Sequence, residues 1–400
     1  MKYVVVLGDG MSDRPLAELG GQTPLAYANT PMMDELSPLS EIGMVQTIPE
    51  GMKPGSDTAN LSVLGYDPKI YYSGRSPLEA LSIGVDLKDT DVAVRCNIVT
   101  LSEEEETYAD RIMIDHSSDE ITTQEANELM NAVRDAFNNE TFSFYTGTSY
   151  RHLLVWDHGS VIELAQPHDI LTQRIGEYLP AQEQLRAMME KSYEILKDHP
   201  VNASRRQRGL HPANSCWFWG AGTRPALDSF EKKYHKRGAV ISAVDLLKGI
   251  AVGAGMKPVI VPGADGSLHT NYAGKAQAAV DVLTKEAYDF VYVHVEAPDE
   301  MGHQGSIQRK VLSIEYLDEK LIRPIKEGLD KCGEDYRMLI LPDHPTPIET
   351  RTHASEAVPY LLYDSTAPQA HTWNYNEAEA TGCGRHIERG WELMEYFFSK

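Results

Sequence analysis

The segment that decides the fold is Tyr3-Val4-Val5-Val6-Leu7-Gly8-Asp9-Gly10, near the start of the 400-residue chain. A short apolar run rich in β-branched residues stops here at a glycine turn. Such a run is typical of a strand that is buried on both faces of a parallel sheet. Asp9 therefore follows the carboxyl end of a buried strand, which is the edge where open α/β sheets bind their ligands.

Similar apolar runs recur towards the other end of the chain, with helical patterns between them. This alternation predicts βαβ units, and hence an α/β fold with a doubly wound, mostly parallel sheet. The predicted strands are Ala239–Ala243, Val259–Pro262, Phe290–Val295, Met338–Leu341 and Tyr360–Tyr363, and the predicted helices between them include Ala276–Lys285 and Val311–Lys326.

The pattern of apolar and polar residues changes between about Lys88 and Pro200. This part contains an acidic turn at Glu103–Glu106, a short strand pattern at Leu153–Trp156 and a long polar helix pattern at Gln182–Lys197. A chain of this length also exceeds what one core usually supports. We therefore predict a catalytic domain formed by residues 1–88 and 201–400, with a smaller α+β domain inserted at 89–200.

The composition limits the possible partners. A net charge of −22 repels nucleic acids and anionic lipid surfaces. We find no apolar run long enough for a membrane helix and no signal peptide, and four scattered cysteines do not form a disulfide framework. We expect a cytoplasmic protein that acts on a small metabolite without nucleic acid or membrane partners, and the oligomeric state stays open. A phosphorylated substrate would need local cations, either metal ions or a few arginines.

Aspartates and histidines collect after the predicted strands. Imidazole and carboxylate ligands together suit Mn²⁺, Zn²⁺ or Fe²⁺ better than Ca²⁺. Two such ions can stabilise the attacking and the leaving oxygen in a displacement at phosphorus. The sequence therefore predicts a two-metal site for phosphoryl transfer, formed by Asp9, Asp299, His303, Asp343, His344 and His353.

Ser56 has two possible roles. It follows Lys53-Pro54-Gly55 and precedes a helix that is predicted to run to about Leu64. It could simply be the N-cap of this helix. It could also be a nucleophile, because the positive end of a helix favours both an alkoxide and a bound phosphoryl group.

An ordered set of short motifs resembles the archaeal-type cofactor-independent phosphoglycerate mutases of the alkaline phosphatase superfamily. The resemblance extends over nearly the whole chain. It implies an alkaline-phosphatase-like fold and the glycolytic interconversion of 3-phosphoglycerate and 2-phosphoglycerate. The family uses two divalent ions (Mn, Mg or Zn) and no 2,3-bisphosphoglycerate. The motifs are Gly8-Asp9-Gly10, Pro54-Gly55-Ser56-Asp57-Thr58-Ala59, Leu64-Gly65-Tyr66-Asp67-Pro68, Ala297-Pro298-Asp299-Glu300-Met301-Gly302-His303, Pro342-Asp343-His344-Pro345-Thr346-Pro347 and Thr352-His353-Ala354.

The resemblance also assigns roles to single residues. It implies that Asp299, His303 and His353 hold one ion, while Asp9, Ser56, Asp343 and His344 hold the other. Ser56 would carry the phosphoryl group as a phosphoserine intermediate, and the inserted domain would close over the site. The residues matched to substrate binding are Arg95, Arg151, His152, Arg205, Arg208 and Asn214.

One segment departs from the family pattern. The mutases typically carry an acidic residue followed by Arg-Arg-Ala-Gly, whereas this chain reads Ile114-Asp115-His116-Ser117-Ser118-Asp119-Glu120. The chain is instead similar to a bacterial branch of the family for which a homoserine kinase role has been proposed. The segments that carry this similarity are Val293-His294-Val295-Glu296-Ala297-Pro298-Asp299 and Leu341-Pro342-Asp343-His344-Pro345-Thr346-Pro347. Mutase, homoserine kinase and phosphohydrolase therefore remain as alternatives.

A cluster of aromatic residues has two possible roles, as a ligand-stacking platform or, as we favour, in core packing at a strand end. The cluster is Trp217-Phe218-Trp219.

Overall fold

The computed structural model describes residues 1–399 and divides the chain into two compact units. The first unit consists of Met1–Tyr72 and Ala226–Lys400, and the second is the continuous segment Ser73–Pro225. The second unit is therefore longer at both ends than the predicted 89–200. The difference arises because a helix at its start and a strand at its end pack on its central strand, which composition alone does not reveal.

The helices and strands follow one another in three blocks along the chain. The first block belongs to the first unit and contains β1 (Lys2–Gly8), α1 (Pro24–Tyr27), α2 (Pro31–Leu36), β2 (Ser40–Val45), α3 (Ser56–Val63) and α4 (Pro68–Tyr71). The second unit contains α5 (Arg75–Ser82), β3 (Asp91–Leu101), β4 (Met113–Asp115), α6 (Thr123–Phe137), β5 (Phe142–Tyr145), β6 (Arg151–Asp157), α7 (Glu183–Leu196), α8 (Pro200–Gln207) and β7 (Ser215–Thr223). The last block completes the first unit with α9 (Phe230–Tyr234), β8 (Gly238–Ile241), α10 (Asp245–Gly253), β9 (Lys257–Val259), α11 (Tyr272–Thr284), β10 (Phe290–Val295), α12 (Ala297–His303), α13 (Ile307–Leu317), α14 (Arg323–Cys332), β11 (Tyr336–Leu341), β12 (Val358–Asp364), α15 (Glu377–Gly382), β13 (His386–Ile387) and α16 (Leu393–Ser399).

The first unit contains an eight-stranded sheet in the order β13-β2-β12-β11-β1-β10-β8-β9. The strands β11, β1, β10, β8 and β9 run parallel, and β12 runs antiparallel to both of its neighbours. The predicted α/β fold with a mostly parallel sheet is thus confirmed. Strand β1 lies in the middle of the sheet, and its residues Val4 to Leu7 are completely buried.

The second unit is an α+β unit with a five-stranded sheet. Its central strand β3 pairs with β4, β6 and β7, all antiparallel, and β5 pairs with β6. One face of this sheet packs against α6 and α7 through a large apolar cluster that includes Val94, Cys96, Leu129 and Met189. The opposite face carries a smaller apolar cluster that includes Ala80, Ala93, Leu153 and Val155.

The helices and cysteines of the described residues have two further properties. Within residues 1–399, none of the helices combines the length and the apolar content that a membrane span requires. All four cysteines, Cys96, Cys216, Cys332 and Cys383, are unpaired.

Candidate active site

Three neighbouring parallel strands deliver the acidic residues of the site. Asp9 follows β1, Asp343 follows β11, and Asp299 lies in the first turn of α12, just after β10. The register aligns the strands closely, since Leu7 is opposite both His294 on β10 and Leu341 on β11. Their carboxyl ends therefore open at one edge of the sheet, and the three carboxylates meet there as predicted.

Gly10 allows the loop after β1 to pass close to these carboxylates. Its φ angle is +60°, and a Cβ atom at this position would lie 2.6 Å from Asp299 Oδ1 and 2.8 Å from Asp299 Cα. Only glycine fits both the left-handed backbone and this contact. The backbone N–H of Gly10 then donates a hydrogen bond of 3.1 Å to Asp343 Oδ1.

Asp299, His303 and His353 form the first predicted ligand group. Helix α12 places Asp299 and His303 four residues apart on one face, with His303 Nε2 3.2 Å from Asp299 Oδ2. His353 Nε2 lies 3.5 Å from Asp299 Oδ1 and 3.0 Å from His303 Nε2. The three side chains thus direct their ligand atoms towards one point.

Asp9, Ser56, Asp343 and His344 form the second predicted group. His344 Nε2 lies 3.4 Å from Asp9 Oδ1 and 3.5 Å from Asp343 Oδ2. Ser56 Oγ is 3.2 Å from His344 Nε2 and 3.4 Å from Asp9 Oδ2. The rings of His344 and His353 are 4.2 Å apart, so the two groups form one continuous cluster.

The position of Ser56 at the start of helix α3 distinguishes its two possible roles. Helix α3 begins at Ser56 with Gly55 as its N-cap residue, and no side chain caps the helix. The N-cap interpretation is therefore wrong. The hydroxyl of Ser56 faces His344 and Asp9 instead, at the positive end of the helix.

The charges in this cluster fit bound divalent cations. Burial, followed by the negative charges of Asp343, Asp299 and Glu296, raises the pKa of Asp9 well above its ordinary value. The Nε2 atoms of His303 and His353 face each other, and at most one of the two can donate a proton to the other. Buried carboxylates that repel one another and imidazole nitrogens that converge are the donor set expected for a two-metal site.

Burial also acts on the histidines and on Asp299. It lowers the pKa of His344. The hydrogen bond to Asp299 raises the pKa of His303 to about 9. Burial opposes ionisation of Asp299, but the hydrogen bonds from His303 and His353 hold the pKa of this carboxyl well below its ordinary value. Asp299 is therefore an ionised ligand candidate.

His294, Asn60 and Thr346 belong to the site but were missed in the sequence. His294 is fully buried on β10, with Nε2 3.0 Å from Asp9 Oδ2 and Nδ1 3.2 Å from Ser242 Oγ. Asn60 donates to Asp343 Oδ2 over 2.8 Å, and Thr346 donates to Asp299 Oδ1. His294 could not be recognised because it lies inside an apolar run. Asn60, four residues after Ser56 on the same helix, could have been found from helical spacing.

The predicted substrate residues lie in the second unit. Two of them, Arg95 and His152, lie on opposite faces of its sheet. Arg95 is opposite Leu153 in the ladder between β3 and β6, while His152 is opposite the next residue, Cys96. Successive side chains of a strand point to opposite faces. His152 therefore lies on the other face from Arg95. It is buried and accepts a hydrogen bond from the Gly147 N–H, and burial lowers its pKa to about 3.

Arg205, Arg208 and Asn214 are engaged in contacts within the second unit. Arg205 is buried, with one guanidinium nitrogen 2.7 Å from Glu125 Oε2 and another donating to the Ser118 carbonyl. Arg208 pairs with the same Glu125. Asn214 is buried, accepts from the Leu101 N–H and donates to its carbonyl. These contacts support a structural role, and the substrate role of the three residues stays a prediction.

Comparisons with known proteins agree with the geometry. The sequence profile of the 2,3-bisphosphoglycerate-independent phosphoglycerate mutases matches residues 39–202. The chain is 46% identical to a probable 2,3-bisphosphoglycerate-independent phosphoglycerate mutase of Geobacter sulfurreducens over 100% of both chains. It is 48% identical to the mutase of that name from Methanosarcina barkeri, over 91% of this chain and 90% of the relative.

Two solved structures resemble the chain throughout. A protein of Pyrococcus horikoshii superposes with a TM-score of 0.81 at 30% identity, covering 99% of this chain and 96% of the other. The cofactor-independent phosphoglycerate mutase of Thermoplasma acidophilum superposes with a TM-score of 0.64 at 27% identity, covering 99% of both chains. The chain belongs to the family of 2,3-bisphosphoglycerate-independent phosphoglycerate mutases.

Proposed function

We propose that this protein interconverts 3-phosphoglycerate and 2-phosphoglycerate through a phosphoserine at Ser56. The observation that carries the proposal is the position of Ser56 Oγ, 3.2 Å from His344 Nε2 and within 3.5 Å of both carboxylate oxygens of Asp9. The hydroxyl that would act as the nucleophile thus lies beside side chains that would suit divalent cations. The names of the relatives supply the substrate.

Two groups of residues would hold the metal ions. Asp299, His303 and His353 would bind one ion, and Asp9, Ser56, Asp343 and His344 the other. When bound, such ions neutralise phosphoryl oxygens and lower the pKa of a coordinated hydroxyl. We leave the choice among Mn²⁺, Mg²⁺ and Zn²⁺ to experiment.

The chain's own residues would then carry the phosphoryl group. Ser56 Oγ loses its proton and forms a bond to phosphorus, while the bond between phosphorus and the substrate's ester oxygen breaks. That oxygen takes up a proton and becomes a hydroxyl of glycerate. The other glycerate hydroxyl then loses its proton and bonds to phosphorus, while the bond between phosphorus and Ser56 Oγ breaks. Ser56 Oγ takes up a proton, so the serine is restored and no external phosphoryl donor is consumed.

Several contacts prepare this geometry. Asn60 donates both to the Ser56 carbonyl and to Asp343, which links the nucleophile's helix to the ligand after β11. The Gly10 and His344 N–H groups both donate to Asp343 Oδ1. A ligand set held in this way needs little reorganisation during the reaction.

The four unpaired cysteines support a reducing, cytoplasmic compartment.

The test is an assay of the purified protein, loaded in turn with Mn²⁺, Mg²⁺ or Zn²⁺. We expect 2-phosphoglycerate to form from 3-phosphoglycerate without added 2,3-bisphosphoglycerate. Acid quenching followed by mass spectrometry should find phosphate on Ser56. The Ser56→Ala variant should retain its fold, since the Ser56 side chain makes no helix-capping hydrogen bond, but it should lose activity by several orders of magnitude.

Ser62→Ala is the matched control. Ser62 lies on the same helix, and its buried hydroxyl has no hydrogen-bond partner among residues 1–399. Its removal should leave activity unchanged. Phosphate on a histidine or aspartate would refute the phosphoserine. Phosphorylation of homoserine by ATP without mutase activity would favour the kinase alternative, and release of inorganic phosphate alone would favour a phosphohydrolase.

A further inference from the structure

A buried histidine lies beside the proposed metal ligands but belongs to neither ligand group. His294 is on β10 and is fully buried. In the sheet it is opposite Leu7 of β1, two residues before Asp9. Its Nε2 lies 3.0 Å from Asp9 Oδ2, and its Nδ1 lies 3.2 Å from Ser242 Oγ. Both ring nitrogens therefore have a polar neighbour inside the core.

The contact between His294 and Asp9 has one chemically consistent direction when Asp9 binds a metal ion. A carboxylate that binds a divalent ion is ionised, so its oxygens accept hydrogen bonds and cannot donate them. Nε2 of His294 must then carry a proton and donate it to Asp9 Oδ2. The other oxygen of Asp9, Oδ1, faces His344 instead, with Nε2 of that ring 3.4 Å away. The contact thus sets the direction in which Oδ1 points.

Ser242 holds the opposite edge of the imidazole ring. It directly follows β8, the strand next to β10, and is itself buried. Its hydroxyl oxygen accepts a hydrogen bond of 3.0 Å from the Val244 N–H, which fixes the position of the oxygen. A hydroxyl can either donate or accept, so it can pair with Nδ1 whether or not that nitrogen carries a proton. A chain of hydrogen bonds therefore runs from the Val244 N–H through Ser242 and His294 to Asp9.

The main chain of His294 is held as well. The buried ammonium group of Lys275 donates a hydrogen bond of 2.8 Å to the His294 carbonyl. Polar contacts thus fix both the backbone and the ring of His294. Any rotation of the ring would leave buried polar atoms without partners, which is costly in free energy. The ring is therefore a rigid support for the carboxylate of Asp9.

His294 could also act as a metal ligand itself. Asp9, His294 and Asp343 have ligand atoms within 4.8 Å of one another, which is close enough to hold an ion. A ring nitrogen that carries a proton, however, has no lone pair for a metal. With Nε2 donating to Asp9 and Nδ1 facing Ser242, neither nitrogen is directed at an ion. The contacts therefore favour a residue that orients a ligand over one that is a ligand.

We propose that His294, held by Ser242, is a positioning residue that fixes Asp9 as a ligand of the ion beside Ser56. Metal-binding side chains are commonly oriented by hydrogen-bonded neighbours, and loss of such a neighbour lowers metal affinity about 10- to 100-fold. The presence of the ions rests on the proposed function. The role of His294 goes beyond it, because this residue touches neither metal nor substrate.

Binding of Mn²⁺ to the full-length protein, measured by titration calorimetry, tests the role of His294. In His294→Leu we expect one of the two binding constants to fall about 10- to 100-fold. The other constant, assigned to Asp299, His303 and His353, should stay close to the wild-type value. His294→Gln should recover most of the lost affinity, because its side-chain amide can donate to Asp9 in place of Nε2. A histidine that served only the stability of the fold would show no change in Mn²⁺ affinity.

Ser242→Ala should lower the same binding constant by a smaller factor, because the ring keeps its bond to Asp9 but loses its support. Ser37→Ala is the matched control. Ser37 is also a buried serine of the first unit, and its hydroxyl accepts from the Tyr375 N–H and donates to the Met33 carbonyl. Its removal should leave both Mn²⁺ constants unchanged.

NMR of the Zn²⁺-loaded protein with ¹⁵N-labelled histidine, assigned from His294→Gln, should find a proton on Nε2 of His294. A Nε2 without a proton would identify a direct metal ligand and overturn the proposal. Unchanged Mn²⁺ constants in His294→Leu would overturn it too, even in a protein with full mutase activity. If Mn²⁺ affinity depends on His294 but the protein has no mutase activity, the positioning role stands and the proposed function fails.

Discussion

Buried charge is stabilised differently at two places, the carboxylate cluster of the first unit and Arg205 in the second. In the first, the carboxylates of Asp9, Asp299 and Asp343 converge, and the partners we find for them are imidazoles, amides and hydroxyls. In the second, the buried Arg205 is matched by the carboxylate of Glu125 and by carbonyl groups. A charge matched within the protein contributes to stability, whereas like charges that converge require a ligand. Substitutions of the converging carboxylates should therefore affect function, whereas substitution of Arg205 should affect stability.

The largest expected effect comes from removing one converging carboxylate. Asp299→Asn leaves His303 and His353 without their shared anion, so metal affinity and mutase activity should both fall by at least about 100-fold. Metal content by elemental analysis and the assay with 3-phosphoglycerate measure the two losses.

The matched control is Asp119→Asn in the second unit. Asp119 also belongs to a cluster that could hold a metal, with Asp115 and His211, but this cluster is largely exposed. Asparagine tolerates the φ angle of +55° at this position. Metal content and activity should stay at the wild-type level. Equal losses of metal and activity in Asp119→Asn and Asp299→Asn would show that the two acidic clusters do not differ in their importance for metal binding.

Replacing Arg205, the buried cation that is paired with Glu125, should reduce stability rather than activity. Arg205→Met removes the ion pair with Glu125 and the hydrogen bonds to two carbonyls, so we expect a loss of about 3–5 kcal/mol in the free energy of unfolding. Urea unfolding measures this loss, and KM measured well below the melting temperature should change little. A raised KM with unchanged stability would instead support the substrate role predicted for Arg205.

Lys275 is a buried cation in the first unit. Its burial should make the free energy of unfolding depend on pH. It donates to the His294 carbonyl, and burial lowers its pKa to about 8 against the opposing charges of Glu296 and Asp265. Between about pH 8 and the ordinary lysine value the unfolded chain binds more protons than the folded chain. The free energy of unfolding should therefore rise with pH, by about 3 kcal/mol over this window.

Unfolding curves at pH 7.5 to 10 check this slope, which should disappear in Lys275→Met. The exposed Lys285 at the end of the same helix forms an i,i+4 pair with Asp281, and Lys285→Met should keep the slope. A slope that survives in Lys275→Met must come from other groups and would contradict the assignment.

Apolar periodicity located most of the predicted strands but could not give their directions. The predicted Val259–Pro262 overlaps β9 (Lys257–Val259) only at Val259. The predicted Phe290–Val295 agrees with β10, and Tyr3–Leu7 lies within β1. Tyr360–Tyr363 was found as a strand, but β12 runs antiparallel, because direction depends on the path of the connecting chain. The single predicted helix Val311–Lys326 is two helices, α13 and α14, joined by a π-helical turn at Asp318–Ile322.

The site was predictable where residues follow strands and not where they lie within them. Asp9, Asp299 and Asp343 come directly after apolar runs, so their meeting at one edge followed from the fold. His294 is inside such a run and resembles a core residue. His152 was grouped with Arg95 because the two were matched by motif, but the ladder register that separates their faces is set by tertiary pairing.

The central place of β1 in its sheet has a consequence for the order of folding. Tyr3 to Leu7 pair on one side with β10 and on the other with β11, so the first strand cannot be completed until nearly the whole polypeptide has been synthesised. The second unit is one continuous segment and can fold while it leaves the ribosome. Such long-range pairing makes the assembly of the first unit slow. The proposed metal ligands would therefore come together late, and acquisition of metal would follow assembly of this sheet.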